Sequence, residues 1–506
     1  MRLLSSDSLV DQDRLVFKDF PDEQTVDPGY AILSHTWGDE EVTYQEILFS
    51  PRSEYAKREG YRKIELCAKQ AKKEGWPYFW IDTCCIDKTN STELSEAINS
   101  MYRWYKNSKV CYAYLSDVSV DRAKEKQQRA MEALPQMAKC RWFTRGWTLQ
   151  ELLAPSKLRF FGRGWCYIGS KGDFRNEIER ITGISTWVLL SGDYSDISVG
   201  RRMSWAANRH TSRIEDRAYC LMGLFDVNMP MLYGEGEKAF TRLQEEIMRV
   251  SDDMTLFCWH DTASSSFAYR GLLARTSTEF AAEQNKESYR ALRIRDAEPH
   301  QLTNKGLKIQ VLLSERGEDG SYVAFLNDQR TSLIFLEKLS TREYARLHFA
   351  PPTSHQLKDM RQQETKLETI YVRQTLLLPD IVNPYRVAGY YVEMINGHCK
   401  VEPSNLFDGH QTVQFDRGNF NGSQRPTVRF QVNTNKGPAP FDIDFEKDLV
   451  PFAKGDNTGL RVLVETRRVR VHAWFKFRGD LLFAYLIIEV LETPGEKPVK
   501  RSEADP

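Results

Sequence analysis

Residues 30–38 read Tyr-Ala-Ile-Leu-Ser-His-Thr-Trp-Gly, a short apolar run that passes directly into polar residues. A run of this length and composition is typical of a buried β-strand. A second such run, Tyr78–Ile81, ends at Asp82. We therefore predict two buried strands whose carboxyl ends are each followed by polar side chains.

Helical patterns and further strands alternate with these two runs. Apolar residues between Tyr61 and Lys73 fall at helical spacing, and Asn90 is placed to cap a helix that begins at Ser91. Val110–Leu115 and Leu158–Phe161 read as a third and a fourth strand. Such alternation predicts a parallel sheet that is covered by helices on both faces.

Three further segments are predicted to be helical. The charged segment Asp117–Lys139 is expected to be helical at least as far as Pro135, and Arg145–Leu153 reads as a short helix. Residues 174–250 look mainly helical, most clearly Phe240–Val250.

Beyond about residue 260, apolar and polar residues alternate in segments separated by Gly, Asn, Asp and Pro. This alternation predicts a mostly antiparallel β domain. The clearest strands are Leu307–Leu312, Tyr322–Leu326, Thr427–Val432 and Val469–Phe477. We expect the last to form a hairpin with Leu481–Leu491, and the tail from Thr493 to be disordered.

The composition indicates a soluble protein of the cytoplasm. The 506 residues exceed what one core usually organises, and 70 basic residues balance 70 acidic ones, which argues against nucleic-acid binding. The N-terminus lacks a secretory apolar core, and the longest apolar stretch, Leu481–Ile488, is too short to span a membrane. Nine cysteines without a CxxC pair indicate reduced thiols.

Two patterns favour a structural reading over a functional one. Gly234-Glu-Gly236 formally fits a dinucleotide-binding glycine loop, but it follows no convincing strand and its Glu residues would repel a diphosphate. Cys84 and Cys85, if extended, point to opposite faces and rarely ligate one ion. We predict a loop that leads into the helix at Phe240, two core cysteines and no metal site.

Three blocks of the chain resemble the fungal heterokaryon-incompatibility (HET) domain family. They are residues 30–38, Trp80-Ile-Asp-Thr-Cys-Cys-Ile-Asp87 with Ala97-Ile98, and Arg145-Gly-Trp-Thr-Leu-Gln-Glu-Leu-Leu-Ala-Pro155. Residues 214–225, Ile-Glu-Asp-Arg-Ala-Tyr-Cys-Leu-Met-Gly-Leu-Phe, resemble the extension of its HET-E-like branch. The family implies a role in non-self recognition that ends in cell death, with a non-self protein as partner.

The resemblance and the change in pattern divide the chain into five parts. We expect an N-terminal segment 1–27, a HET core 28–170, a helical extension 171–258, a β-rich domain 259–492 and a disordered tail 493–506.

The same blocks follow the order of a TIR domain, which is a flavodoxin-like α/β fold with a five-stranded parallel sheet. Trp147-Thr-Leu-Gln-Glu-Leu152 is similar to the helix that, in plant-like TIR enzymes, carries the Glu required to cleave NAD+ at its nicotinamide–ribose bond. The matching residue is Glu151. The resemblance implies NAD+ as a substrate, no separate cofactor, and self-association for activity.

The residue types suit this chemistry. Cleavage of the bond to a cationic nicotinamide develops positive charge on the ribose, and one carboxylate beneath the sugar can stabilise it. Glu151 lies four residues after Trp147, so both side chains project from one helix face. The alternative for Glu151 is an ordinary exposed helical Glu. Instead of contacting substrate, Trp147 could pack in the core and Asp82 could cap a turn.

Further substrate-binding residues are expected around Glu151. The loop after the first strand would supply Ser34, His35, Thr36 and Trp37, and other parts of the chain would supply Asp82, Arg145 and Trp147.

The sequence departs from the TIR pattern at three places. The insertion Asp117–Lys139 separates the third strand from the Glu151 helix, and Thr148 replaces a cysteine. Thr36 stands where many TIR domains have an Arg, so phosphate binding would need Arg141 or Arg145. A non-enzymatic signalling module remains the main alternative function, and a sensor role for the β-rich half is a third.

Overall fold

The computed structural model describes residues 1–260, 270–285, 290–316, 321–347 and 354–374, and the strands thereafter. It forms two compact units: residues 1–262 with 273–293, and residues 263–272 with 294–506. No helix in these described parts is long and apolar enough to cross a membrane. The eight cysteines whose side chains are described are all buried and form no disulfide.

The first unit is built on a seven-stranded sheet in the order β2-β1-β4-β3-β5-β6-β7. The strands are β1 (Arg2–Ser5), β2 (Phe17–Asp19), β3 (Tyr30–His35), β4 (Tyr78–Trp80), β5 (Val110–Tyr114), β6 (Leu158–Gly162) and β7 (Cys166–Ser170). The central strands β4, β3, β5 and β6 are parallel, and β1, β2 and β7 add antiparallel edges. The four strands predicted from the sequence are therefore the parallel core.

Fourteen helices accompany this sheet among the described residues of the first unit. Up to the end of β6 they are α1 (Ser6–Gln12), α2 (Tyr44–Phe49), α3 (Arg52–Tyr55), α4 (Glu59–Lys73), α5 (Ser91–Asn107), α6 (Lys126–Met137), α7 (Arg141–Thr144) and α8 (Thr148–Leu153). The helical extension contains α9 (Arg175–Thr182), α10 (Thr186–Ser191), α11 (Val199–Ser204), α12 (Asp216–Tyr219), α13 (Met222–Phe225) and α14 (Lys238–Val250). Short 3-10 helices follow at Met254–Phe257 and Ser277–Asn285.

Local sequence signals explain the two longest helices of the core. Asn90 caps α5, as predicted, because its side chain accepts the backbone N–H groups of Thr92 and Glu93. The apolar stripe of α4 is buried, including Ile64 and Ala68. Both helices therefore form where the spacing predicted them.

Two predicted helices begin later than expected. The charged segment is helical only from Lys126, since the carboxylate of Asp121 accepts the N–H of Ala123 and stabilises a turn before it. The helix expected from Arg145 begins at Thr148. The backbone before it is instead held by His210, whose carbonyl accepts the N–H of Gly146 at 2.9 Å.

The second unit begins with a six-stranded sheet that closes on itself. Its strands are β8 (Gln301–Thr303), β9 (Gly306–Arg316), β10 (Ser321–Phe325), β11 (Leu333–Lys338), β12 (Glu343–Leu347) and β13 (Lys366–Val372). Closure follows because β10 pairs with both β11 and β9, and only β12 and β13 are parallel. Val323, Phe325 and Phe335 pack in its core with Met360 of α15 (Ser354–Arg361).

The remaining strands confirm the predicted β-rich second half. They are β14 (Val387–Ile395), β15 (Cys399–Glu402), β16 (Thr412–Asp416), β17 (Thr427–Thr434), β18 (Gly437–Asp444), β19 (Leu449–Lys454), β20 (Asn457–Val462), β21 (Val469–Arg478) and β22 (Leu481–Val490). The predicted hairpin is present, since β21 and β22 pair antiparallel from Val469↔Val490 to Arg478↔Leu481. The tail from Thr493 lies outside the described residues.

Candidate active site

The carboxyl end of β3 brings two polar residues to the middle of the parallel sheet. Ser34 is fully buried and His35 is 7% exposed. Successive residues of a strand point to opposite faces of the sheet, so these two side chains contact different parts of the protein. Ser34 contacts the helix α8, whereas His35 contacts the residues after β4.

Glu151 of α8 is buried and receives a hydrogen bond from Ser34. The Ser34 hydroxyl donates to Oε2 of Glu151, and the indole N–H of Trp142 donates to the Ser34 oxygen at 2.7 Å. Because Trp142 can only donate, the hydroxyl proton of Ser34 is free to point at Glu151. The three side chains thus form one directed chain of hydrogen bonds.

The environment of Glu151 favours its protonated form. Burial raises the pKa of Glu151 to about 8, which the Ser34 hydroxyl opposes and the charge of Asp82 reinforces. The buried guanidinium of Arg209 also favours the carboxylate form. A cation placed next to Glu151 would add to that effect and promote its ionisation.

A cavity of about 340 Å³ opens beside Glu151. A cavity of this size lies at the lower end of the range that binds small molecules. Its polar lining consists of His35, Trp37, Asp82, Lys88, Arg145, Trp147, Thr148, Glu151, Ser212, Arg213, Asp216 and Tyr233, and its apolar lining of Ile86, Leu94, Ile98 and Met101. The cavity therefore combines cations, carboxyl groups, two indole rings and an apolar wall.

Asp82 is the second carboxyl group of the cavity, and its environment differs from that of Glu151. Its two oxygens bind Nε2 of His35 at 3.1 Å and the indole N–H of Trp37 at 2.8 Å. Burial disfavours the charged form of Asp82, but the charge of Lys88 and the His35 ring outweigh it and hold its pKa below the ordinary value. Asp82 is thus ionised under conditions in which Glu151 is mostly protonated.

A buried lysine fixes the imidazole of His35. Nζ of Lys63 lies 3.0 Å from Nδ1 of His35 and also pairs with Glu41. An ammonium group can only donate, so Nδ1 accepts and the ring proton lies on Nε2, directed at Asp82. His35 is therefore an oriented donor.

The structure brings most of the predicted site residues together. His35, Trp37, Asp82, Arg145, Trp147 and Glu151 all line the cavity, whereas Ser34 lies behind Glu151. Thr36 is buried and is not among the lining residues, and neither is Arg141. The described residues contain no cluster of His, Cys, Asp and Glu suited to a metal ion.

The helical extension supplies cavity residues that the sequence analysis missed. They are Ser212, Arg213, Asp216 and Tyr233. The glycine loop beside them holds an internal carboxylate, because the N–H groups of Gly234 and Gly236 donate to Glu215 at 2.8 and 3.2 Å. The loop leads into α14, as predicted, and the glycine pattern had marked this segment only as a weak dinucleotide motif.

Close packing joins α8 to the extension. Gly146 lies in the turn before α8, where a Cβ atom would come within 2.5 Å of Thr211 and 3.1 Å of Cys220. Arg209 then donates to the carbonyl of Arg145 and to the Thr148 hydroxyl, both at 2.9 Å. The extension is therefore part of the site.

Comparison with known proteins agrees with the first of the two resemblances. Residues 30–137 match the family "Heterokaryon incompatibility protein (HET)", and residues 238–316 match a "Domain of unknown function (DUF8212)". The chain is 46% identical over 268 residues to "Vegetative incompatibility protein HET-E-1" of Podospora anserina. That match covers 51% of this chain and 19% of the relative. No solved structure matches the chain. Residues 30–137 thus match the heterokaryon-incompatibility family, and about half of the chain is similar to HET-E-1.

Proposed function

We propose that this chain acts in heterokaryon incompatibility, as a cell-death effector that hydrolyses NAD+ at the nicotinamide–ribose bond. The printed name of the relative, a vegetative incompatibility protein, supports the biological role. The observation that supports the chemistry is that the buried Glu151 lines the cavity at one end of a parallel sheet.

The strand order supports the TIR-like part of the proposal. The parallel strands lie in the order β4-β3-β5-β6, so the first of them in sequence, β3, lies between the second and the third. This is the order of flavodoxin-like sheets up to their fourth strand. Such sheets bind ligands beyond the carboxyl ends of the strands, where the order reverses. Here that point lies at the ends of β3 and β5, beside Ser34 and His35.

The reaction we propose balances without a redox partner. The bond between ribose C1′ and the nicotinamide nitrogen breaks, and its electron pair leaves with nicotinamide, which becomes neutral. Water adds to C1′ and loses a proton, which gives ADP-ribose, nicotinamide and H+. The leaving group needs no general acid, so a single carboxylate that stabilises the cationic ribose is sufficient.

The charge state of Glu151 fits this role when substrate is present. The nicotinamide ring of NAD+ is a cation, and a cation beside a buried carboxyl group lowers its pKa. Glu151 then ionises as substrate binds, and its carboxylate faces the carbon that becomes positive. Asp82 is already ionised, so with His35 it orients ribose hydroxyls or the attacking water.

The remaining contacts follow from the cavity lining. The half-buried indole of Trp147 is proposed to stack on the substrate, while Ser34 acts through Glu151 and Trp37 acts with Asp82. Thr36 is proposed to contribute through the backbone of the loop after β3. Self-association, a non-self protein partner and a cytoplasmic location complete the proposal.

Expression in a fungal host tests the proposal against a non-enzymatic adaptor. We expect the wild-type chain to deplete cellular NAD+ before the cells die, and Glu151→Gln to do neither at equal protein level. The control is Glu96→Gln, which changes an exposed residue of α5. Death without NAD+ depletion, caused equally by wild type and Glu151→Gln, would instead establish the adaptor function.

A further inference from the structure

Two arginines of the cavity have no carboxylate partner. Arg145 and Arg213 both line the cavity, and neither forms an ion pair within 4.0 Å with any described residue. Nη1 of Arg145 donates instead to the hydroxyl of Ser212, the neighbour of Arg213, at 3.1 Å. The guanidinium groups thus belong to one polar cluster whose charge is not neutralised by a direct ion pair.

The surroundings of Arg213 orient its guanidinium. Its central carbon lies 4.4 Å from the centroid of the Tyr233 ring, and the Tyr233 hydroxyl donates to Asp216 at 3.0 Å. The Tyr233 loop is itself held by Glu215, which accepts the adjacent N–H of Gly234. A stacked guanidinium keeps its N–H edge available, and that edge fits the oxygens of a phosphate.

The other cation of the cavity is engaged differently. The ammonium of Lys88 lies 3.5 Å from the centroid of the Trp37 ring, and its charge acts on Asp82. The charge of Arg213 favours the ionised forms of Glu215 and Asp216, but its guanidinium forms an ion pair within 4.0 Å with neither of them. The guanidinium groups of Arg145 and Arg213 therefore stay available to a negatively charged ligand.

We propose that Arg145, Ser212 and Arg213 form a subsite for the diphosphate of a dinucleotide. The helical extension supplies two of these three residues, so it determines that the substrate is a dinucleotide rather than a simple nucleoside. The two phosphate charges bind here while the ribose reaches Glu151. The assignment to NAD+ rests on the proposed function, whereas binding of a diphosphate does not.

Steady-state kinetics on the full chain tests the subsite with two substrates. The double variant Arg145→Gln/Arg213→Gln is expected to raise KM for NAD+ at least about tenfold, since two charge-assisted hydrogen-bonding groups are lost, with kcat little changed. Hydrolysis of nicotinamide riboside, which has no phosphate, is expected to keep its kcat/KM. The control Arg217→Gln, a residue of α12 outside the cavity lining, changes neither.

Calorimetric titration with ADP separates this inference from the proposed function. ADP should bind the wild type and Arg217→Gln, and bind the double variant at least about tenfold more weakly. That result supports the subsite even if the wild type fails to hydrolyse NAD+. Equal ADP affinity in all three proteins, or an equal loss of kcat/KM for both substrates in the double variant, would overturn it.

Discussion

The hydroxyl of Ser34, at the end of a central strand, donates a hydrogen bond to the buried carboxyl group of Glu151 on α8. The two residues are 117 positions apart in the chain. The indole of Trp142 fixes the direction of this bond by donating to Ser34 in turn. Because the hydrogen bond from Ser34 is donated to Glu151, it favours the charged form of Glu151, whereas burial favours the protonated form.

We predict that Ser34→Ala shifts the pH dependence of NAD+ hydrolysis to higher pH. The rate should rise with pH as Glu151 ionises, and loss of the Ser34 donor raises the pKa of Glu151 further. A shift of one pH unit lowers kcat/KM at pH 7 about tenfold. The measurement is a profile of kcat/KM between pH 6 and pH 9.

The control is Ser6→Ala, which removes another fully buried hydroxyl, one that donates to the carbonyl of Trp76 at 2.7 Å. Both variants should lose roughly 1–3 kcal/mol of stability, because each leaves a buried partner without its bond. Only Ser34→Ala should move the profile. An unchanged profile in Ser34→Ala would show that Ser34 does not act on Glu151.

We predict that Glu151→Gln stabilises the protein increasingly as the pH rises from about 5 to 8. The pKa of Glu151 is about 8 in the folded chain and near its ordinary value of 4.5 when unfolded. Between these values the unfolded chain loses a proton that the folded chain keeps, so wild-type stability falls with pH. Below pH 4.5 Glu151 is protonated in both the folded and the unfolded chain, and above pH 8 the loss of wild-type stability no longer changes with pH.

The gain for Glu151→Gln should reach roughly 2–4 kcal/mol at pH 8 and be smallest near pH 5. Chemical denaturation at pH 5, 6.5 and 8 measures it. Glu96→Gln, on the exposed part of α5, is expected to change stability by less than about 0.5 kcal/mol throughout. A gain that does not depend on pH would contradict the raised pKa.

We predict that Lys63→Met costs about 3–5 kcal/mol, because it leaves the carboxylate of Glu41 buried without its cation. The side chains of Lys63 and Glu41 are each only 10% exposed. The double variant Lys63→Met/Glu41→Gln should recover part of this loss, which a double-mutant cycle measures. Arg180→Met, which breaks an exposed pair with Glu177, is the control and should cost at most about 1 kcal/mol. Additive effects at Lys63 and Glu41 would exclude the coupling.

The parallel core of the first unit could be predicted because its strands are short, continuous apolar runs. The edge strands could not. In β1 only Leu3 and Leu4 are buried, and two apolar residues give too weak a periodicity. The strand β7 follows a turn in which Gly164 and Trp165 both have positive φ. Gly164 was the one feature of the sequence that could have indicated this turn. The N-terminal segment 1–27 therefore contributes two strands that its sequence did not indicate.

Only the site residues that belong to a local sequence pattern could be predicted. The spacing of Trp147 and Glu151 indicated a shared face, and both side chains do line one cavity. The last residue of β3, His35, and the loop residue Trp37 line it as well. The contacts between segments that are distant in the chain could not be predicted, because no local sequence pattern indicates them. Nothing in the sequence around Trp142 or Lys63 indicates that one would donate to Ser34 and the other to His35, since tertiary packing alone brings them together.

The release of nicotinamide from NAD+ by the purified full chain tests the central claim most directly. Wild type and Glu151→Gln are incubated at high protein concentration at pH 8, and nicotinamide and ADP-ribose are separated by chromatography. We predict equal molar amounts of both products from the wild type and none above background from the folded Glu151→Gln. Equal release by the two proteins, or none from the wild type even when it is oligomeric, would contradict the assignment of Glu151.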